Sequence, residues 1–258
     1  MNPATTAILL SLGLFIGLVA CLDLGYRLGR RHTEESGDSA HEGLGAIEAS
    51  VFALLGLLLG FSFAGGMSRL DARRQMAVQE ANAIGTAYLR LDQLPASEQP
   101  ALRRLFRDYL ESRLRVYEKL PDVKAAEVEV ARGAQLQKEI WSRAVAASQS
   151  DTNPVTARLL LPAINEMIDV TTARTVAMHI RLPWLVFGLL VCFALLSGLA
   201  AGYSMSKRKS RSWLHMLLYA LVISMTIYAV LDLDSPRAGL IRVGAADNAL
   251  IELRDSIR

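Results

Sequence analysis

The sequence predicts an all-α integral membrane protein, with four transmembrane helices and a soluble helical bundle inserted between the second and third. Three observations predict it. Charge is sparse in four stretches, about residues 7–26, 44–66, 183–203 and 213–231, and dense between them. Each stretch can cross a bilayer, which takes roughly 20 apolar residues. From 67 to 181 the apolar residues instead recur at helical spacing among charges, the pattern of amphipathic helices in water.

The first apolar run contains Leu18-Val19-Ala20-Cys21, which matches a lipoprotein cleavage box. No basic residue precedes it, and a signal needs a basic start, so a retained first span is expected. Arg27, Arg30 and Arg31 follow it, opening a short polar loop over residues 27–43. The second run carries one ionisable group, Glu48, and has no proline before Pro95, so its helix is expected to continue into the aqueous part. Ala49, Ala53, Gly56, Gly60 and Ala64 recur every three or four residues and share one face. Gly13 and Gly17 repeat that spacing in the first span, and Gly198 and Gly202 in the third. In lipid, small residues let helix backbones approach closely. Packing within one subunit is the simpler expectation, ahead of a subunit interface.

In the soluble part, Leu102, Leu105, Phe106, Tyr109, Leu110, Leu114 and Tyr117 mark a helical face, with Pro100 in the first turn. A break at Pro121-Asp122 precedes a more polar helix over 123–147. The last helix, over 155–181, is expected to lead directly into the third span. The first and last helices of the bundle would then extend the second and third spans. Trp184 and Tyr203 flank the third span as aromatic belts do. Lys207, Arg208, Lys209 and Arg211 form a basic hairpin before the fourth. The tail, 232–258, ends in a short amphipathic piece.

Both short loops lie on one side if the spans number four, and their charges make that side cytoplasmic. The helical domain and both termini would then be extracytoplasmic, in a bacterial inner membrane. Arg69, Arg73, Arg74, Arg174, Arg181, Arg237 and Arg242 on the other side weaken that preference without reversing it.

The stretches EANAIGTAYLRLDQLP (80–95), NEMID (165–169) and DLDSPRAGLIRV (232–243), with GLLLGFSF (56–63) and DARRQ (71–75), resemble those of the bacterial bestrophin-like membrane proteins. The resemblance covers nearly the whole chain and implies four spans with the large insertion after the second. Through the bestrophins, which are pentameric anion channels, it implies a channel-like homo-oligomer. Bestrophins keep their large domain in the cytoplasm, whereas the loop charges here favour the opposite side.

A charge at membrane depth costs roughly 2.5–3.5 kcal/mol at a helix centre, so the intramembrane ionisable groups are the sharpest candidates. Asp23, Glu48 and His215 lie towards one face, where they would form a cation or proton site or reach water separately. Asp232 and Asp234 end the fourth span at the other face. Arg73, Arg74, Arg237 and Arg242 are candidates to pair with them at the base of the helical domain, a role favoured over a cation-binding mouth. Glu80, Asn82, Thr86, Asn165, Glu166 and Asp169 are expected to share buried hydrogen bonds, or to line a ligand site between helices.

Cys21 and Cys192 read as packing residues. His32, His41 and His179 read as solvated, and no histidine pair has the spacing of a helical metal site. No metal or cofactor is expected. A net charge of +3 with no basic stripe argues against nucleic acid. No phosphate loop or nucleophile elbow is present, so enzymatic activity is the least supported class. The expected partners are the bilayer, further copies of the chain, and an ion or small ligand of unspecified kind. Two functions fit: a homo-oligomeric channel with the second span at or beside its axis, or a membrane-anchored sensor or scaffold whose helical domain binds a ligand or partner.

Overall fold

The structure is a computed structural model that describes residues 3–36, 44–120, 122–150, 154–178, 180–206, 212–234, 239 and 244–257. Among these every regular element is helical: α1 Pro3–Ser36, α2 Leu44–Leu89, α3 Gln99–Lys119, α4 Val123–Ser150, α5 Pro154–Ala177, α6 Trp184–Met205, α7 Trp213–Leu233 and α8 Gly244–Ser256. Four of them, α1, α2, α6 and α7, are long and apolar enough to cross a membrane. The chain forms two compact units, one of residues 1–69 and 181–241, the other of residues 70–180 and 242–258.

In the first unit α1 packs on α6 and α7, around Leu18, Leu22, Leu190, Ala194, Met216 and Ala220. Lipid is as apolar as leucine, so close fit rather than hydrophobicity holds such helices together. The fit is built on glycine. A methyl group on Gly202 would overlap the Leu22 carbonyl oxygen, and one on Gly25 the Leu199 carbonyl oxygen, so the two backbones touch reciprocally.

α1 continues to Ser36, ten residues past the expected end of its span. No proline interrupts it, and the polar residues sit on helix, tied by Arg27–Asp23 at 2.9 Å and Arg30–Glu34 at 3.2 Å, both one turn apart. Such exposed pairs give only about 0.3–0.5 kcal/mol each.

α2 has 46 residues, or about 70 Å at 1.5 Å per residue, against a hydrocarbon core of about 30 Å. Only its apolar first half, to Gly66, can lie in lipid. The helix tightens into a 3₁₀ turn over Arg90–Gln93, and Leu94 is extended, as the residue before a proline prefers.

The second unit packs the rest of α2 with α3, α4, α5 and α8. Its core holds Ile84, Leu91, Phe106, Tyr109, Leu110, Ile140, Leu160 and Ile164, all fully buried, each side chain contributing about 1.5–3 kcal/mol. Asp122 caps α4 by accepting the Ala125 N–H at 3.2 Å.

One expectation needs correction here. α5 does not run on into α6: it ends at Ala177, and residues 180–183 are non-helical. Pro183 bars a continuous helix, since it disfavours helix at Leu182 and removes an N–H. The C-terminal α8 packs on α3 with Leu250 and Ile257 in the core, and Tyr88 donates to the Ile257 carbonyl at 3.4 Å.

Candidate functional site

The densest polar constellation lies inside the second unit, where α2, α3, α5 and α8 each contribute an ionisable side chain. Glu80 on α2 is fully buried. Its Oε1 accepts from Arg113 Nε of α3 at 2.5 Å, and its Oε2 from the Tyr117 hydroxyl at 3.0 Å and from Arg174 Nη1 of α5. Arg174 also donates through Nη2 to Asp247 of α8 at 2.6 Å, and its guanidinium stacks 4.0 Å from the Tyr117 ring centroid. Arg113 Nη2 donates to the Tyr117 hydroxyl at 2.6 Å. A second branch runs from Gln137 Nε2 to the Tyr109 hydroxyl at 2.9 Å, then to Thr171 Oγ1 at 2.8 Å. Thr171 Oγ1 lies 3.4 Å from Glu80 Oε1 and 2.8 Å from the Met167 carbonyl.

Two cations and two anions balance. Glu80 lies beyond the lipid-spanning half of its helix. Burial pushes its carboxyl up, but the Arg113 and Arg174 guanidiniums outweigh burial and hold it below the usual carboxylate range. Burial pushes the Tyr117 phenol up and neighbouring Glu80 adds to that, so it stays a protonated donor. Burial works against the charge on Arg113, and Glu80 more than restores it. Buried ionic networks of this kind fix register between helices.

Among the polar residues expected to surround Glu80, the structure brings none of the others to it. Asn82, Thr86, Asn165 and Glu166 are exposed; Asn82, Thr86 and Glu166 line a separate groove with Gln79 and Arg90, and Asn165 bonds Asp169 on its own helix at 2.8 Å. The true partners, Arg113, Tyr117, Thr171, Arg174 and Asp247, were absent from the expected set.

In the first unit Asp23 pairs with Arg27 on its own helix, His215 Nδ1 lies 2.5 Å from Ser212 Oγ at the start of its own, and Glu48 is half-buried. Those contacts do not assemble the three into one site. Asp234 is buried and accepts from Arg69 Nε at 2.9 Å and from the Leu182 N–H at 2.7 Å. Asp232 is buried against Gly239, where any side chain would overlap its carboxylate, and accepts from the Tyr228 hydroxyl at 3.3 Å.

The expected ion pairs of Arg73 and Arg74 with these aspartates are replaced. Arg69, one turn earlier, reaches Asp234 first. Arg73, in the second unit, is buried and donates to the Ile180 carbonyl at 2.7 Å and the Ala177 carbonyl at 3.3 Å, serving orphan carbonyls past the end of α5. Arg74 pairs with Asp71 at the surface. Arg237, Arg242, His41, His179 and the 207–211 hairpin lie outside the described residues.

The small residues divide. Gly17, Gly198 and Gly202 meet the facing helix within their own unit, while Gly13 has nothing within 4 Å of where its side chain would be. On α2 the expectation of packing within the subunit fails. Ala49, Ala53, Gly56, Gly60 and Ala64 are all exposed, and nothing lies within 4 Å of Gly56 or Gly60. α2 instead turns Leu55, Ser62 and Gly66 inward.

The described residues form an all-α fold in which four helices are long and apolar enough to cross a membrane. The chain belongs to the bestrophin-like domain family, whose family model matches residues 10–247. No curated protein and no solved structure matches it.

Proposed function

We propose that this protein is a homo-oligomeric channel of the inner membrane, assembled through the exposed small-residue face of α2. That face carries the reading. The apolar window of α2 is 17% buried, against 28% for α6 and α7, and no described residue lies within 4 Å of where a side chain at Gly56 or Gly60 would be. Glycine facing lipid forfeits helix propensity, about 1 kcal/mol per residue relative to alanine, with no packing in return. A neighbouring copy supplies that return. Membership of the bestrophin-like family supports a channel, and the ion it passes is left open. The helical domain is inserted between the second and third spans, and the charges of Arg27, Arg30, Arg31 and the 207–211 hairpin favour an extracytoplasmic position for it.

The test is Gly56→Cys on a background lacking Cys21 and Cys192, oxidised in membranes, with single-particle imaging in lipid nanodiscs. Disulfide-linked dimers and a symmetric ring with α2 at or beside a water-accessible axis are expected. A monomer by both measurements refutes the reading. A ring sealed by lipid or side chains, with no ion flux in liposomes, retires the channel and keeps only the assembly.

A further inference from the structure

The channel reading leaves one built feature of the helical unit unused. A cleft of about 200 Å³ opens between α3, α4 and α5, lined by Tyr109, Arg113, Gln137, Thr172 and Thr175 among others. Gly133 of α4 keeps it open: a methyl there would already stand 3.7–3.9 Å from Ser112, Tyr109 and Arg113, and anything larger would fill the space.

Arg113 reaches the cleft from its buried side, being only 2% exposed. A guanidinium has five N–H donors. Arg113 spends Nε on Glu80 and one Nη2 hydrogen on Tyr117. The edge formed by Nη1 and the other Nη2 hydrogen has no hydrogen-bond partner among the described residues. Nη1 is also not among the unpartnered atoms sealed from solvent. A donor pair on a side chain this deeply buried, at the wall of a cleft, marks a place for an acceptor.

The other lining groups present acceptors. Thr172 donates its hydroxyl hydrogen to the Ile168 carbonyl at 3.0 Å, which leaves its oxygen as an acceptor. Gln137 donates to Tyr109, and its carbonyl oxygen has no partner among the described residues. Guanidinium donors beside hydroxyl and amide acceptors recognise a carbonyl group that carries N–H donors of its own.

Charge selects among such ligands. Arg113 and Arg174 are already matched by Glu80 and Asp247. A carboxylate would bring a third negative charge next to buried Glu80, and a buried charge without a counter-ion is strongly disfavoured. We propose that this cleft binds a small uncharged carbonyl compound of the carboxamide or urea class, its oxygen on Arg113 and its N–H groups on Gln137 and Thr172. The inference concerns the helical unit alone and stands whether or not the protein conducts.

Fluorine NMR on the full chain in nanodiscs tests it with two probes of one shape, trifluoroacetamide and trifluoroacetate. Saturable line broadening of trifluoroacetamide is expected, with trifluoroacetate at least about tenfold weaker. Gly133→Leu, which fills the cleft, should abolish the broadening. Gln137→Leu, which removes an acceptor without filling the space, should weaken it about tenfold, and this variant decides the matter if Gly133→Leu does not fold. Binding of trifluoroacetate as tight as that of the amide overturns the proposal, as does broadening that neither substitution alters. Saturable binding of neither probe means that water alone serves the Arg113 edge, which also overturns it.

Discussion

Glu80→Gln is the substitution that most directly interrogates the helical unit. The amide keeps the shape of the carboxylate and removes its charge, so packing is unchanged while the electrostatics collapse. Arg113 loses its one counter-ion and keeps only the Tyr117 hydroxyl. Arg174 retains Asp247. One amide N–H of the new glutamine must also face a guanidinium. Leaving one member of a buried ion pair uncompensated typically costs about 3–5 kcal/mol, and both Glu80 and Arg113 are buried to within a few per cent. Local opening of the unit should therefore become more frequent by about two to four orders of magnitude.

Hydrogen–deuterium exchange by mass spectrometry, on protein in nanodiscs, reads that opening directly in α3 and α5 peptides. Amides of α6 and α7 serve as the internal reference and should not change. Adding Arg113→Met to Glu80→Gln should recover part of the loss, because the stranded charge is then gone. Unchanged exchange in α3 and α5, or strictly additive effects of the two substitutions, would refute the electrostatic account and leave Glu80 as a packing residue.

Three further outcomes follow from the same geometry. Glu80 is held below its ordinary value of 4.5, so its stabilisation is present above about pH 4.5 and is lost as pH falls through the lower folded value. Protection of α3 and α5 amides, taken against the intrinsic exchange rate at each pH, should fall on acidification in the parent protein and much less in Glu80→Gln. Gly202→Leu should lower the thermal midpoint of the detergent-solubilised protein, by overpacking worth about 1–3 kcal/mol or more, whereas Gly13→Leu should leave it nearly unchanged; fluorescence-detected size exclusion after heating checks both. Asp234→Asn should cost about 1.5–3 kcal/mol, the range for hydrogen bonds to a charged group, in the same assay, and less when Arg69→Met has already removed the partner.

The spans were legible because lipid leaves a sequence little freedom: each needs a long run with almost no charge. The helices between them were legible through their apolar spacing. The ionic network was not, because its members come from helices far apart in sequence. Arg113 is four residues after Tyr109 and four before Tyr117, which puts it on the core face of α3. Arg174 follows Thr171 by three and Met167 by seven, which does the same on α5. Their shared counter-ion lies 33 and 94 residues away, which spacing along one helix does not reveal. Glu80 itself was in view, but its expected companion Asn82 is two positions along, where side chains on a helix do not share a face. A buried arginine at core spacing was the available signal. The break between α5 and α6 was likewise written in Pro183, and the continuation of α1 in the lack of any proline after Arg27.

The small-residue motifs separate what spacing specifies from what it leaves open. Gly198 and Gly202 on α6, and Gly56 and a Gly60 one turn further on α2, have the same interval and imply the same closeness of approach. On α6 the approach is realised inside the chain, since the Leu22 backbone occupies the space a side chain at Gly202 would need. On α2 nothing occupies the equivalent space, yet the helix does have an inward face, formed by Leu55, Ser62 and Gly66. The glycines are therefore not where this chain packs against itself. Spacing predicts that two helices meet and is silent on whether the second belongs to the same copy. Burial separates the two cases among the described residues, since Leu22 closes off Gly202 and Gly56 is exposed, so a substitution at Gly202 should act on folding and one at Gly56 on the assembly proposed above.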